Sequence, residues 1–348
     1  MPIPPLYGHE GLRDRLAAAI AAGRLPQALL LTGPQGVGKQ RLALWVSEAL
    51  LCQSPAAGQP CGHCQGCRLV RSLSHPDLHW FVPIEPPKRA GDADKQVDLV
   101  EEALGDVMAA RREHPLYEPP SGLASHPIAA MRLLGRRLAL RPALGSRRVF
   151  VIGDADRLAP QPGQEAAANA LLKALEEPPP GAFFILTSAA PESLLPTILS
   201  RVVQVRVAPL GDSVVAAFAQ QELGVTSQRQ LARLVAGAEG CIGKLLAGDK
   251  GDGERATQGD RFLAAVRGDR AARYAVALGQ APFQARGAFT ALLDDLLQRL
   301  RAEARGGRTS PALVEAIARV LEARRDAQGN VNPQLLAAVL ADEWPEGA

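Results

Sequence analysis

Residues 27–51 read QALLLTGPQGVGKQRLALWVSEALL, and this run constrains the fold more than any other in the chain. Ala28-Leu29-Leu30-Leu31 is a short apolar run of the length and character of a buried parallel strand. The chain then turns through Gly33, Pro34, Gln35, Gly36, Val37, Gly38 and Lys39, followed by Gln40. Leu42, Trp45, Val46, Ala49 and Leu50 next recur at helical spacing and cover one face. Strand, glycine loop, lysine and helix are the context of a phosphate-binding loop. Its glycines let backbone N–H groups converge on phosphate, and the helix N-terminus adds partial positive charge. Lys39 supplies a full charge to the outer phosphates. The match to G-x-x-x-x-G-K-[ST] stops one residue short, because position 40 is Gln where a hydroxyl would ligate Mg²⁺. The loop is therefore expected to accommodate ATP or ADP, with hydrolysis in doubt.

At 348 residues the chain is long enough for two or three domains. Its net charge of +3 is too small to mark a nucleic-acid binder by itself. No charged, apolar leader follows Met1 and no apolar run reaches membrane-spanning length, so a cytoplasmic protein without a membrane partner is expected. Its five cysteines are then expected to be reduced. Four of them, Cys52, Cys61, Cys64 and Cys67, follow the pattern C-x8-C-x2-C-x2-C. Four thiolates complete a tetrahedral Zn²⁺ shell with no open position, which points to a structural ion. His63 lies inside the knuckle but is not needed for four-coordination, and Cys241 reads as a small buried residue.

Along the chain, residues 9–23 read as an amphipathic helix stopped at Gly23. Residues 77–84 form a second expected strand, 149–152 a third, 183–186 a fourth and 202–207 a fifth. Helices between them, at 127–140 and 169–177, imply a parallel sheet covered on both faces. Residues 85–125 interrupt this order as an insertion: one helix with Val97, Val100, Leu104, Val107 and Met108 on a face, set between flexible arms and expected to be a solvated excursion. Arg132 and Arg136 share a helix face that could meet phosphates or simply solvent. Beyond Pro209 the pattern is helical to about residue 342.

The P-loop, the four-cysteine module, NALLKALEEPPP at 169–180 and Ser200-Arg201 before the last strand occur together in the clamp-loader family of AAA+ ATPases, which this chain resembles over most of its length. The resemblance implies an α/β AAA+ P-loop module with a five-stranded parallel sheet over 1–208, a small helical lid domain over 209–250 and an all-helical collar over 251–348. The zinc module (52–67) and the insertion (85–125) would fall inside the first. It implies a component of the DNA polymerase III holoenzyme without a polymerase site, in a hetero-pentamer with gamma/tau and delta subunits. That ring opens a sliding clamp and places it on primer–template DNA. Ser200-Arg201-Val202 matches the family's S-R-C motif apart from Val202, so Arg201 is expected to act as an arginine finger on a neighbour's γ-phosphate.

Thr187 fits the polar sensor at the end of the fourth strand. Other positions depart from an active ATPase. Gly153-Asp154 stands where a metal-organising Asp and a catalytic Glu are expected, and Gly243 replaces the lid arginine. A non-hydrolysing subunit is thus expected. The competing readings are a DNA-stimulated motor subunit of the same architecture and a zinc-dependent DNA-binding protein.

Overall fold

The computed structural model describes residues 3–85, 92–114, 124–159, 165–248, 258–280, 289–305, 310–327 and 331–345. These fall into two compact units, one from the residues up to 248 and one from residue 258 onward.

In the first unit α1 (Glu10–Ala21) precedes β1 (Ala28–Thr32), the P-loop and α2 (Lys39–Leu51). Then come α3 (Gln65–Arg71), β2 (Leu78–Phe81), α4 (Ala93–Glu113), α5 (Ile128–Ala139) and β3 (Arg148–Ile152). The sheet is completed by α6 (Ala166–Glu176), β4 (Ala182–Ser188), α7 (Pro196–Leu199) and β5 (Val203–Arg206). All pairings are parallel, in the order β2-β3-β4-β1-β5. The fold is therefore α/β with the five-stranded parallel sheet that the resemblance implies. Leu29, Leu30 and Leu31 of β1 and Val149 to Ile152 of β3 are buried on both faces, which is why their sequences run apolar without alternation. β5 is the exception: Val203 and Gln204 are exposed, since an edge strand needs no cover on its outer side. Leu31 pairs with both Thr187 and Val205, so the carboxyl ends of β1, β4 and β5 lie side by side where the P-loop begins.

The insertion is not a solvated excursion. Ile84 and Ser125 exchange two backbone hydrogen bonds of 3.0 Å, so the excursion leaves and re-enters the fold at one point. Between them α4 is capped by Asp92, whose Oδ1 accepts from the Asp94 N–H. Val97, Val100 and Leu104, spaced for one face, are buried in the same core as the sheet. The polar flank of α4 binds α5: Arg136 pairs with Asp94 at 2.5 Å and Asp98 at 3.6 Å, and Arg137 with Glu101 at 2.8 Å. The expected flexible arms lie largely outside the described residues. Residues after Pro209 add α8 (Asp212–Gln221), α9 (Gln228–Ala238) and α10 (Ile242–Gly248) around Val215, Phe218, Ala219 and Leu245.

The second unit holds α11 (Gln258–Val266), α12 (Arg270–Leu278), α13 (Thr290–Arg305), α14 (Pro311–Asp326) and α15 (Pro333–Asp342). Phe262, Phe289, Leu293, Leu296, Leu300, Val320 and Trp344 form its core. Ser310 caps α14 and Asn332 caps α15, each with proline at the first helical position.

Candidate functional site

The P-loop has the backbone that its glycines require: Gly36 and Gly38 take φ of 79° and 104°, in the left-handed region. The His9 imidazole donates to the Val37 carbonyl at 3.0 Å and braces the loop from α1. Lys39 is buried, and its ammonium donates to the carbonyls of Gly33 and Pro34, both at 2.8 Å. Burial lowers its pKa, a shift opposed by the Asp154 and Asp156 carboxylates. In this arrangement Lys39 closes the loop on itself, and it must exchange two carbonyls for phosphate oxygens to engage a nucleotide.

Gln40 does more than lack a hydroxyl. Its Nε2 donates to Asp154 Oδ2 at 3.0 Å, across the mouth of β3. A Cβ at Gly153 would sit 2.9 Å from that Nε2 and 3.1 Å from the Gln40 Cδ. The amide thus occupies the space that a side chain at 153 would enter. Of the two positions expected to anchor a metal in an active site, one carries a long amide and the other no side chain, and the amide fills the space between them. Thr187, fully buried at the end of β4, accepts from the Asp154 N–H at 3.0 Å, while Ser188 donates to Asp156 at 2.8 Å. The acidic residues after β3 are therefore held by protein donors. His126 donates from Nε2 to the Gly153 carbonyl at 2.8 Å, and burial pushes its pKa down to about 4.

Gly243, at the start of α10, donates its N–H to the Gly36 carbonyl at 2.9 Å. A Cβ there would meet the Gly36 Cα at 2.5 Å. Where an arginine is expected, the backbone of α10 instead rests on the P-loop itself, and the absence of a side chain is what permits that approach. The cleft beside the loop is lined by Ile3 to Tyr7, by residues 35–41, and by Leu210, Phe218, Ile242 and Leu246.

The cysteine module sits at the far end of α2. Cys52 follows its last residue, and Cys64 is the N-cap of α3. The four sulfurs lie within 4.8 Å of one another, with Cys52–Cys64 at 3.8 Å and Cys61–Cys67 at 3.9 Å. Zn–S bonds of about 2.3 Å in a tetrahedron require sulfurs about 3.8 Å apart, so the four thiols fit the ion and can bind it. Backbone N–H groups of Cys61, Cys64 and Cys67 donate to the sulfurs of Cys52, Cys61 and Cys64 at 3.3, 3.4 and 3.4 Å, as metal-bound thiolates require. At Cys64, burial raises the pKa but N–H donors of Cys67 and Gln53 outweigh it and bring the thiol to about 6. Burial pushes Cys67 up. The Arg71–Glu48 ion pair at 3.0 Å ties the module back to α2.

Arg201 follows α7 at the surface. It donates to the Thr197 carbonyl at 2.9 Å and the Ser200 hydroxyl at 3.2 Å, and pairs with Glu176 at 2.8 Å. The two side chains are 34% and 47% exposed, so the guanidinium remains accessible. Arg136 is also exposed, but its charge is paired with Asp94 and Asp98 of the insertion rather than left on an open phosphate-binding face.

Two residues with structural roles escaped sequence reading, one beside Arg201 and one at the amino end of the sheet. Glu176 lies within the NALLKALEEPPP run but only the fold brings it to Arg201. Asp77, expected inside a strand, instead precedes β2 and accepts from Ala143 N at 2.6 Å and Leu144 N at 2.7 Å.

A sequence model of the family described as "DNA polymerase III, delta subunit" matches residues 8–211. A DNA polymerase III subunit delta' of Escherichia coli is 31% identical over 238 residues, 68% of this chain and 59% of that protein. One from Pseudomonas aeruginosa is 34% identical over 177 residues, 51% of this chain and 42% of that protein. A DNA polymerase III subunit gamma/tau of Mycobacterium bovis is 30% identical over 197 residues, 56% of this chain and 27% of that protein. The matched region thus spans between about a quarter and three fifths of these relatives.

Proposed function

Because the chain belongs to the family described as DNA polymerase III, delta subunit, we propose that it serves as the delta prime-type subunit of a clamp loader. In this reading residues 1–208 are the AAA+ module, 209–250 its lid and 251–348 the collar of a hetero-pentamer with gamma/tau and delta subunits. The ring loads a sliding clamp onto primer–template DNA. The chain itself does not hydrolyse ATP; it presents Arg201 to a neighbour's site, with a zinc ion in the Cys52, Cys61, Cys64 and Cys67 cluster fixing the module behind α2.

One observation carries the non-hydrolysing assignment: Gln40 spans to Asp154 through the space above Gly153. Phosphoryl transfer needs a metal held beside the β- and γ-phosphates and a base or water-positioning group. Here the amide fills the metal side and engages the nearest carboxylate. Arg201, by contrast, is exposed and held at one end by Glu176, so a guanidinium can be offered to another chain's γ-phosphate.

The test is DNA-stimulated ATP hydrolysis by the reconstituted ring. Arg201→Ala should leave the ring assembled and lower hydrolysis, because an arginine finger is worth roughly 10³ to 10⁵ in rate at its own site. Lys39→Ala should leave hydrolysis largely intact. A large loss with Lys39→Ala in an assembled ring would make this chain a motor and end the proposal.

A further inference from the structure

The inserted helix reaches the cleft. Its last turn carries Arg111 and Arg112. Arg112 donates to the Leu73 carbonyl at 2.9 Å, which fixes that end of α4 to the segment leading into β2. Arg111 lies over the Trp80 ring of β2, 4.2 Å from its centroid, and Arg111, Trp80 and Leu73 line the same cleft as the P-loop. That lining combines apolar walls with three cations, Lys39, Arg41 and Arg111, and, among its described residues, the carboxylate Asp154. Burial holds Arg41 down at about 10 despite Glu222 and Glu48, so an added anion there is favoured. Two buried polar atoms of the lining, the Trp80 Nε1–H and the Gln40 Oε1, find no partner among the described residues. Buried groups of this kind are rarely left unmatched in a native protein.

These observations point to a ligand with charge at one end and a flat, hydrogen-bonding body at the other. β1, which feeds the P-loop, and β2, which carries Trp80, are separated by β4 and β3. Three inter-strand spacings amount to about 14 Å. A lone phosphate cannot bridge that span, whereas a nucleoside diphosphate can.

We propose that the insertion completes the nucleotide site of this chain: Arg111, held over Trp80, takes the base end of a nucleotide whose phosphates lie in the P-loop. This rests on the reading that the P-loop still binds nucleotide. A guanidinium already held over an aromatic ring can add a contact to a base at little entropic cost. The contact involves no metal, which suits a site whose metal anchors are gone.

The experiment is calorimetric titration of the full chain with ADP and, separately, inorganic pyrophosphate, in magnesium-free buffer. Arg111→Gln should weaken ADP about tenfold, within the range of a desolvated cation–π contact, and leave pyrophosphate unchanged. Arg111→Lys should recover part of the loss, and Trp80→Phe should weaken ADP while leaving pyrophosphate unchanged. Unaltered ADP affinity in Arg111→Gln, with Lys39→Ala still losing it, overturns the role of the insertion and leaves nucleotide binding standing. Equal losses for ADP and pyrophosphate overturn it too, since Arg111 then acts on phosphate or on the fold. If the unaltered chain binds neither ligand, nucleotide binding itself fails, and the inference with it.

Discussion

Gln40 and Gly153 lie 113 positions apart in the chain yet behave as one substitution in two parts. A side chain at 153 must displace the Gln40 amide, which then loses its bond to Asp154. Gly153→Asp should therefore destabilise the protein more in the natural background than in Gln40→Ser, where the amide has been removed. The coupling from a double-mutant cycle in urea should be about 1 kcal/mol, the net worth of one such hydrogen bond. Additive effects would show that the two positions are independent. Gly243 follows related logic more strictly, because a side chain there would collide with the Gly36 backbone, which cannot turn aside as the Gln40 amide can.

At the scale of elements, α3 depends on the cysteine cluster. It is seven residues long, too short to persist without packing, and its N-cap and first turn supply two of the four sulfurs. Metal analysis of protein purified under reducing conditions should give one zinc per chain. Stripping the ion with a strong chelator should raise amide hydrogen exchange across residues 52–74, because binding and local folding are one equilibrium. The break should stop before β1, whose backbone is held by β4 and β5 on either side. Unchanged exchange after complete removal of the metal would show that the module folds without it. α4 illustrates the opposite case. Its ends join the fold through Ile84 and Ser125, and its buried valines add to the core of the sheet without any metal.

At the scale of the whole molecule, the described residues from 258 onward have a core of their own, built on Phe262, Phe289, Leu293, Leu296 and Trp344. Edge-on contact between Phe262 and Trp344, 5.8 Å between centroids, joins its first and last parts. A fragment beginning at residue 252 should consequently be helical by circular dichroism and unfold cooperatively on heating. A gradual, non-cooperative melt would mean that this unit needs the rest of the chain. Among the described residues no helix is long and apolar enough to cross a membrane.

Local sequence was sufficient for what depends on neighbours in the chain. The apolar run 28–31, the glycine spacing of the P-loop and the C-x2-C-x2-C spacing each encode a structure within a dozen residues, so strand, loop and sulfur cluster were legible. The insertion was legible as a helix, because its apolar period survives, but not as part of the core. That required α5 and the sheet to present a matching face. The state of the site was decided by tertiary structure alone. Gln40 reaching Asp154, α10 resting on Gly36 and Arg111 lying on Trp80 are all contacts between residues far apart in the chain, made when the fold is assembled around the sheet. Sequence spacing carries no record of such meetings. They follow from the strand order β2-β3-β4-β1-β5, which converts residues far apart in the chain into neighbours at one edge.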